Sequence, residues 1–416
     1  MVRAPCAPVR VSTVRRRRPM ATFSVRTETD GGPGSLRDAV ERANGNSGPD
    51  TILFDDGITF LRLTLGEIEI TDALTIDGLG RGVTITGDAA GDDVVVNGVT
   101  DVAASLAGED RLDDNSRIFN VTNETADTRF VGLTLTGGRT TAEGDLGGAV
   151  FSLADLTVER SLVAGNSTAG DFSSGGGIVG GGAVTVTNST VSGNSTAGYQ
   201  ARGGGIAADG LVTVTSSTIS GNSTAGEISQ GGGLVGSGAV TVTNSTISGN
   251  STAGDGGAIG GGLLGGGAVT VTNSTIVGNS TAGDEAFGGG LVAVGELTVT
   301  NSTIVGNSTA GDEAFGGGLL TFSDLTVTNS TISGNSAARA DGGGFFAAAT
   351  SGGSVTLTDS IVLGNTAGGA GDEISGGAER RFEGANIVGA DPAAFDASAL
   401  DNVTNAEPAA VFQSVD

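Results

Sequence analysis

Between about residues 146 and 378 the chain is written in a short alternating code. In A-V-T-V-T-N-S-T, Val184 and Val186 alternate with Thr185 and Thr187, and the same alternation returns in every following repeat. A period of two sends apolar side chains to one face and hydroxyls to the other, as a half-buried strand requires. Val, Ile and Thr are β-branched, which suits strands and penalises helices, so a helical solenoid is excluded. The alternation is itself periodic. Asn166, Asn194, Asn222, Asn250, Asn279, Asn307, Asn335 and Asn365 each follow a glycine, at spacings of 28, 28, 28, 29, 28, 28 and 30. A glycine triplet keeps step with them from Gly175 to Gly342. Each unit offers roughly three short strands, as in GGGLVAV, LTVTNST and TIVGNST from Gly288. Stacked on the equivalent strands of the next unit, these predict an all-β single-stranded solenoid. It is a right-handed parallel β-helix of about 28 residues per coil, rising about 4.8 Å per coil, with the hand taken from the general preference of parallel crossovers.

The periodicity also divides the chain. Residues 1–19 form a basic tail holding six of the twenty arginines and are expected to be disordered or the product of a mis-assigned start, with Met20 as the natural beginning. Residues 20–50 form an N-terminal cap. There Ser35 is placed to cap a short helix with Asp38 three residues on, and Leu36, Ala39, Val40 and Ala43 share its inner face. Residues 51–145 read as irregular first coils interrupted by an acidic excursion from Asp101, residues 146–378 as regular coils, and 379–416 as a segment that loses the period, read as a possible truncation.

Composition changes the picture in three ways. With 76 Gly, a strict period and abundant Val, Ile and Leu, the chain reads as an ordered repeat and not as a disordered tract. A formal charge of −26 without lysine or histidine argues against a nucleic-acid partner. The single Cys6 permits no intrachain disulfide and no Cys/His metal site, and no run of eighteen apolar residues is present to span a membrane as a helix.

The recurrent GG-A/G-[ILV] and [IV]-x-G-N motifs resemble the repeats of chlamydial polymorphic outer-membrane proteins. Val191, Ile219, Ile247, Ile276, Ile304 and Ile332 stand where that family has phenylalanine. The opening MATFSVRTETDGGPGSLRDAVERANGN is similar to that of large bacterial right-handed β-helix repeat proteins. The resemblance implies a β-helical passenger, a bacterial extracellular or cell-surface location and an adhesive role.

Candidate chemistry is sparse. Residues 145–378 contain three arginines, Arg160, Arg202 and Arg339, one tyrosine, Tyr199, and no tryptophan. A polysaccharide lyase or hydrolase needs paired carboxylates and a substrate groove, so a non-catalytic role is expected, with such an enzyme as the alternative. The recurring asparagines predict a structural ladder at one corner of the coils. In the two D-E-A-F loops, Asp284, Glu285, Asp312 and Glu313 fall one strand spacing apart, which makes them the candidate site for calcium, the one cofactor the sequence suggests. Phe287 and Phe315 of the same loops predict a packed ladder. The outward Thr185/Thr187, Thr213/Thr215, Thr241/Thr243, Thr270/Thr272, Thr298/Thr300, Thr326/Thr328 and Thr356/Thr358 form a TxT array resembling those of ice-binding proteins, a second alternative. Variation concentrates in the loops after GNSTAG. The leading expectation is therefore a monomer that binds a polysaccharide or cell-surface ligand through those loops.

Overall fold

The computed structural model describes residues 20–106, 112–339, 341–348, 353–389 and the strand 403–406. The basic tail of residues 1–19 lies outside the described residues. The chain winds into a parallel β-solenoid of about 13 turns, bounded by long sheets of 13, 13, 10 and 11 strands. The regular coil is set out by one example. Val184–Thr187 belongs to sheet 1, Thr190–Ser192 to sheet 2 and Ser195–Ala197 to sheet 3, and after a loop Ile206–Ala208 belongs to sheet 4. Sequence periodicity predicts three of these strands. The fourth, Ser-Thr-Ala, turns a threonine inward instead of an aliphatic residue: Thr196 is buried where Val186 and Val191 are buried in the neighbouring strands.

Register is the source of the regularity. Val184 pairs with Val212, Val212 with Val240, Val240 with Val269, and Val269 with Leu297, so each apolar side chain stacks on its equivalent one coil away. A one-residue slip would turn every valine outward, which the buried face forbids. The interior is one continuous column of fully buried Val, Ile and Leu, such as Val186, Val191, Ile206 and Val214, with Phe119 stacked on Phe130 at 4.7 Å in the first coils.

The corners are polar, and the amides of the ladder asparagines are fully hydrogen-bonded. Each ladder asparagine is 0–1% exposed. Asn250 shows the pattern: its Nδ2 donates to Asn279 Oδ1 at 2.9 Å and to Ile219 O at 3.0 Å, while its Oδ1 accepts from Asn222 N at 3.0 Å and Asn222 Nδ2 at 2.9 Å. At the far end Glu373 takes the place of the next asparagine, accepting from Gly364 N, Asn365 N and Asn365 Nδ2 at 2.8, 3.1 and 2.6 Å. Burial pushes the Glu373 carboxyl above its usual range against these donors. A second ladder, not anticipated from sequence, is built from the serines at the corner between sheets 1 and 2, most of them in N-S-T triplets. Ser189 Oγ accepts from Ser161 N at 3.1 Å and donates to Thr187 O at 2.8 Å, and Ser217 repeats this one coil on. The residue before each such serine turns the corner at positive φ, 49° and 50° at Asn188 and Asn244 and likewise at Arg160, Ser216 and Asp359, a left-handed geometry that Asn tolerates best.

At the N-terminal end the helix Leu36–Asn44 forms as its sequence predicts. The Ser35 side chain accepts from Asp38 N, and Leu36, Ala39, Val40 and Ala43 are buried. The cap also contains a strand, Thr22–Val25, which pairs with Asp50–Phe54 and opens sheet 1. At the other end the coiling continues past residue 378: Glu379–Glu383 pairs with Ser354–Thr358, Asn386–Gly389 with Ile361–Leu363, and Val403–Ala406 with Asn386–Gly389. The excursion begins before Asp101, as an antiparallel hairpin of Val95–Val96 and Val99–Thr100 followed by the helix Val102–Leu106.

Candidate functional site

The loops after sheet 3 are the part of each coil that differs from its neighbours. From Ser229 onward they fold back as a small fifth sheet of Ser229–Gln230, Ala258–Ile259, Glu285–Phe287 and Glu313–Phe315. This layer covers the outer side of sheet 4, where Val235, Leu264, Val292 and Leu320 lie buried against Ile259, Phe287, Phe315 and Phe346. Phe287 stacks on Phe315 with ring centroids 5.8 Å apart and planes within 6°, the packed ladder expected of them. In these coils the variable loops therefore serve packing.

The earlier loops present a different surface. Phe172, 46% exposed, meets Tyr199 of the next coil edge-on with centroids 5.3 Å apart. Asp171 Oδ1 accepts from Tyr199 N at 2.8 Å, which ties the two loops together, and Gln200 Nε2 donates to the Tyr199 hydroxyl at 3.3 Å. Both Phe172 and Gln200 hold positive φ, 58° and 55°, so the edge is built on tight turns. Arg202 forms isolated backbone bridges with Ser174 and Gln230. Its side chain borders two openings, one of about 160 Å³ shared with Leu146, Ser174 and Asp209, the other of about 360 Å³ shared with Gln200, Ile228 and Gln230. The one tyrosine of the regular coils thus meets an exposed phenylalanine and Gln200 on one edge, and Arg202 and Gln230 border an opening shared with Gln200. Rings of this kind stack on apolar ligand faces, while planar amide and guanidinium groups direct several hydrogen bonds in fixed geometry. The convergence was readable in principle, since Phe172 and Tyr199 are 27 residues apart, one coil less one residue.

The sequence-derived cation candidates are all exposed. Glu285 stands opposite Glu313 on adjacent strands, and Glu313 N donates to Asp284 O at 2.8 Å. Among the described residues, three acidic side chains bring ligand atoms within 4.8 Å of one another at another place, formed by Asp88, Asp92 and Asp114. Beside them Asp93 is buried, and that burial pushes its carboxyl up to about 6, with the Asp88 and Asp114 charges adding to the rise and hydrogen bonds from Asn115 and Thr100 opposing it. Sequence reasoning missed this group because its members come from two stretches flanking the excursion. The same surroundings lower the Arg139 pKa, chiefly through desolvation, against the field of Asp113 and Asp93.

The threonine array is regular. Thr185, Thr213, Thr241, Thr270, Thr298, Thr326 and Thr356 pair in unbroken register, as does the column from Thr187 to Thr358. Strand geometry places neighbours about 4.8 Å apart along the axis and about 6.7 Å apart along the strand. No helix among the described residues is long and apolar enough to cross a membrane.

A family model described as "Right handed beta helix region" matches residues 173–387. No curated protein and no solved structure matches the chain.

Proposed function

The chain belongs to the right-handed β-helix family, and from that premise we propose that it is a non-catalytic, secreted or surface-displayed solenoid that holds a polysaccharide or cell-surface glycan. The observation that carries this reading is the Phe172–Tyr199 pair set beside Gln200 and Arg202. The resemblance of the repeats to those of chlamydial adhesins supports the same role by analogy, a weaker warrant than the site itself. A glycan-binding edge needs an apolar platform flanked by planar donors, and these loops gather the groups that the rest of the coils lack.

The test is retention of the full chain on immobilised acidic and neutral polysaccharides, with product release followed in parallel. Retention without products is expected, and Tyr199→Ala should weaken it at least tenfold while leaving the melting temperature within a few degrees, because Tyr199 is partly exposed. Release of unsaturated or hydrolysed products would replace this reading with that of a lyase or hydrolase. Retention indifferent to Tyr199→Ala would move the binding surface elsewhere.

A second reading, ice binding, is favoured by the unbroken threonine register of sheet 1. The hydroxylated face of sheet 2 argues for a general solvent-facing role instead, since Thr190, Thr218 and Thr246 with Ser192, Ser220 and Ser248 also pair in register there. Faceted crystals in a growing-ice assay at micromolar protein would establish the second reading, and rounded crystals would remove it.

A further inference from the structure

The residues that cover the outer side of sheet 4 change character along the axis. Backbone pairing carries their column from Leu146 through Ser174, Arg202 and Gln230 to Ile259, Phe287 and Phe315. Beneath it the outward residues of sheet 4 run in register as Val179, Ala207, Val235, Leu264, Val292 and Leu320. In the later coils Ile259, Phe287 and Phe315 pack on this row. In the earlier coils Ser174 and Arg202 hold the equivalent places, and a serine is too small to cover the row. What remains is a notch of about 160 Å³, floored by Val179, Ala207 and Val235 and walled by Leu146, Ser174 and Arg202. A cavity of roughly 150 Å³ takes one six-membered ring, so the notch is sized for a single ring and not for a longer segment.

The charge in its wall has no counter-ion. The other arginines of the regular coils are engaged: Arg160 pairs with Glu159, and Arg339 donates to Asp312 O. Arg202 makes one long side-chain bond, from Nη2 to Ser237 Oγ at 3.5 Å, and its Nε is buried without a partner. Asp209 borders the notch as well, yet no ion pair joins Arg202 to it or to any other carboxylate among the described residues. A buried donor without an acceptor is costly, and a guanidinium presents a planar fork that matches an oxyanion. Exposed Asp209 can accept from ring hydroxyls at the rim. The notch also adjoins the aromatic pair, since Ser174 lies two residues after Phe172 and Arg202 three after Tyr199.

We propose that this notch seats one anionic sugar ring, with its C–H face on Val179 and Ala207 and its carboxylate or sulfate ester on Arg202. The inference rests on the glycan reading above and narrows it to acidic polymers, Phe172 and Tyr199 holding the neighbouring sugar. The net charge of −26 repels a polyanion in general, so a preference for one requires a local anchor of this kind.

Retention of the full chain at about 0.15 M salt is compared on alginate, on alginate with its carboxyls reduced to alcohols, on dextran sulfate and on dextran. A preference for alginate over its reduced form marks a carboxylate as the group held, and a preference for dextran sulfate over dextran marks a sulfate ester; either supports the assignment. Arg202→Gln should lower that preference about tenfold or more, whereas Arg339→Gln, with the same change of charge, should leave it intact. Ser174→Phe supplies the ring that Phe287 and Phe315 supply in later coils, so it should abolish the preference without lowering the melting temperature. Equal retention of charged and uncharged polymers, or a preference that survives Arg202→Gln or Ser174→Phe, would overturn the assignment. The glycan reading would then still stand if Tyr199→Ala weakened retention, while retention of none of the polymers would remove both.

Discussion

Replacing Asn250 by alanine is expected to cost about 3–5 kcal/mol in urea unfolding, far more than a polar-to-alanine change at a surface corner. The reason lies in what remains behind. The substitution removes four hydrogen bonds, two donated by Asn250 Nδ2 and two accepted by its Oδ1. Asn222 N is then left as a buried donor without an acceptor, which costs about 1–3 kcal/mol by itself, and the other three losses add roughly 2 kcal/mol together. No water can take over cheaply, since the site is completely buried between coils. The comparison is Asn301→Ala. Asn301 is exposed, sits at a φ of 49° and makes one side-chain bond, from its Nδ2 to Asn273 Oδ1 at 3.2 Å. Losing a left-handed-tolerant residue there should cost about 1 kcal/mol. Equal costs for the two variants would mean that the ladder is not what holds this corner. Because neighbouring coils stabilise one another, the Asn250 defect should also raise hydrogen exchange in the coils on either side before the ends respond.

Much of this architecture is legible in the sequence because it repeats. A period of 28 with β-branched alternation leaves few folds open, and the recurrence of Asn166 to Asn365 at one phase of that period places them at one corner without further information. The Ser35 cap was legible for a different reason: helix starts have local chemistry, and Asp38 and the spacing of Leu36, Ala39, Val40 and Ala43 fall within one short window. What stayed hidden is what the period does not encode. The Ser195–Ala197 strand carries no aliphatic alternation, so its inward Thr196 reads as a loop residue. The fifth sheet arises from loops of unlike sequence, and its role appears only when Val235, Leu264, Val292 and Leu320 are found facing outward from sheet 4 and in need of cover. Glu373 replaces an asparagine by chemistry and not by position, eight residues after Asn365. The carboxylates Asp88, Asp92 and Asp114 depend on a long-range closure across the excursion, which no local pattern announces. The candidate sites are thus least legible where the chain departs from its repeat, at the excursion and at the loops around Tyr199.

The largest effect is expected from a single methyl group. A Cβ on Gly289 would stand 2.3 Å from Ser308 O and 2.6 Å from Gly317 O. These are backbone atoms on two sides, one of them in the next coil, so no side-chain rotation relieves the contact. Relief requires the coils to part, and at a spacing of about 4.8 Å that breaks the ladder bonds of the neighbouring strands. Gly289→Ala should therefore lose more than about 4 kcal/mol, the range reserved for core overpacking and broken backbone pairing. Gly278→Ala separates space from strain. Gly278 holds a φ of 62°, yet a Cβ there would meet nothing within 4 Å. Its substitution pays only the left-handed backbone cost, about 1–2 kcal/mol. Thermal unfolding of the two variants distinguishes the cases: a large gap means that close approach between coils demands the middle glycine of each triplet, whereas similar losses would mean that the coils can separate locally and that the triplets serve backbone conformation alone.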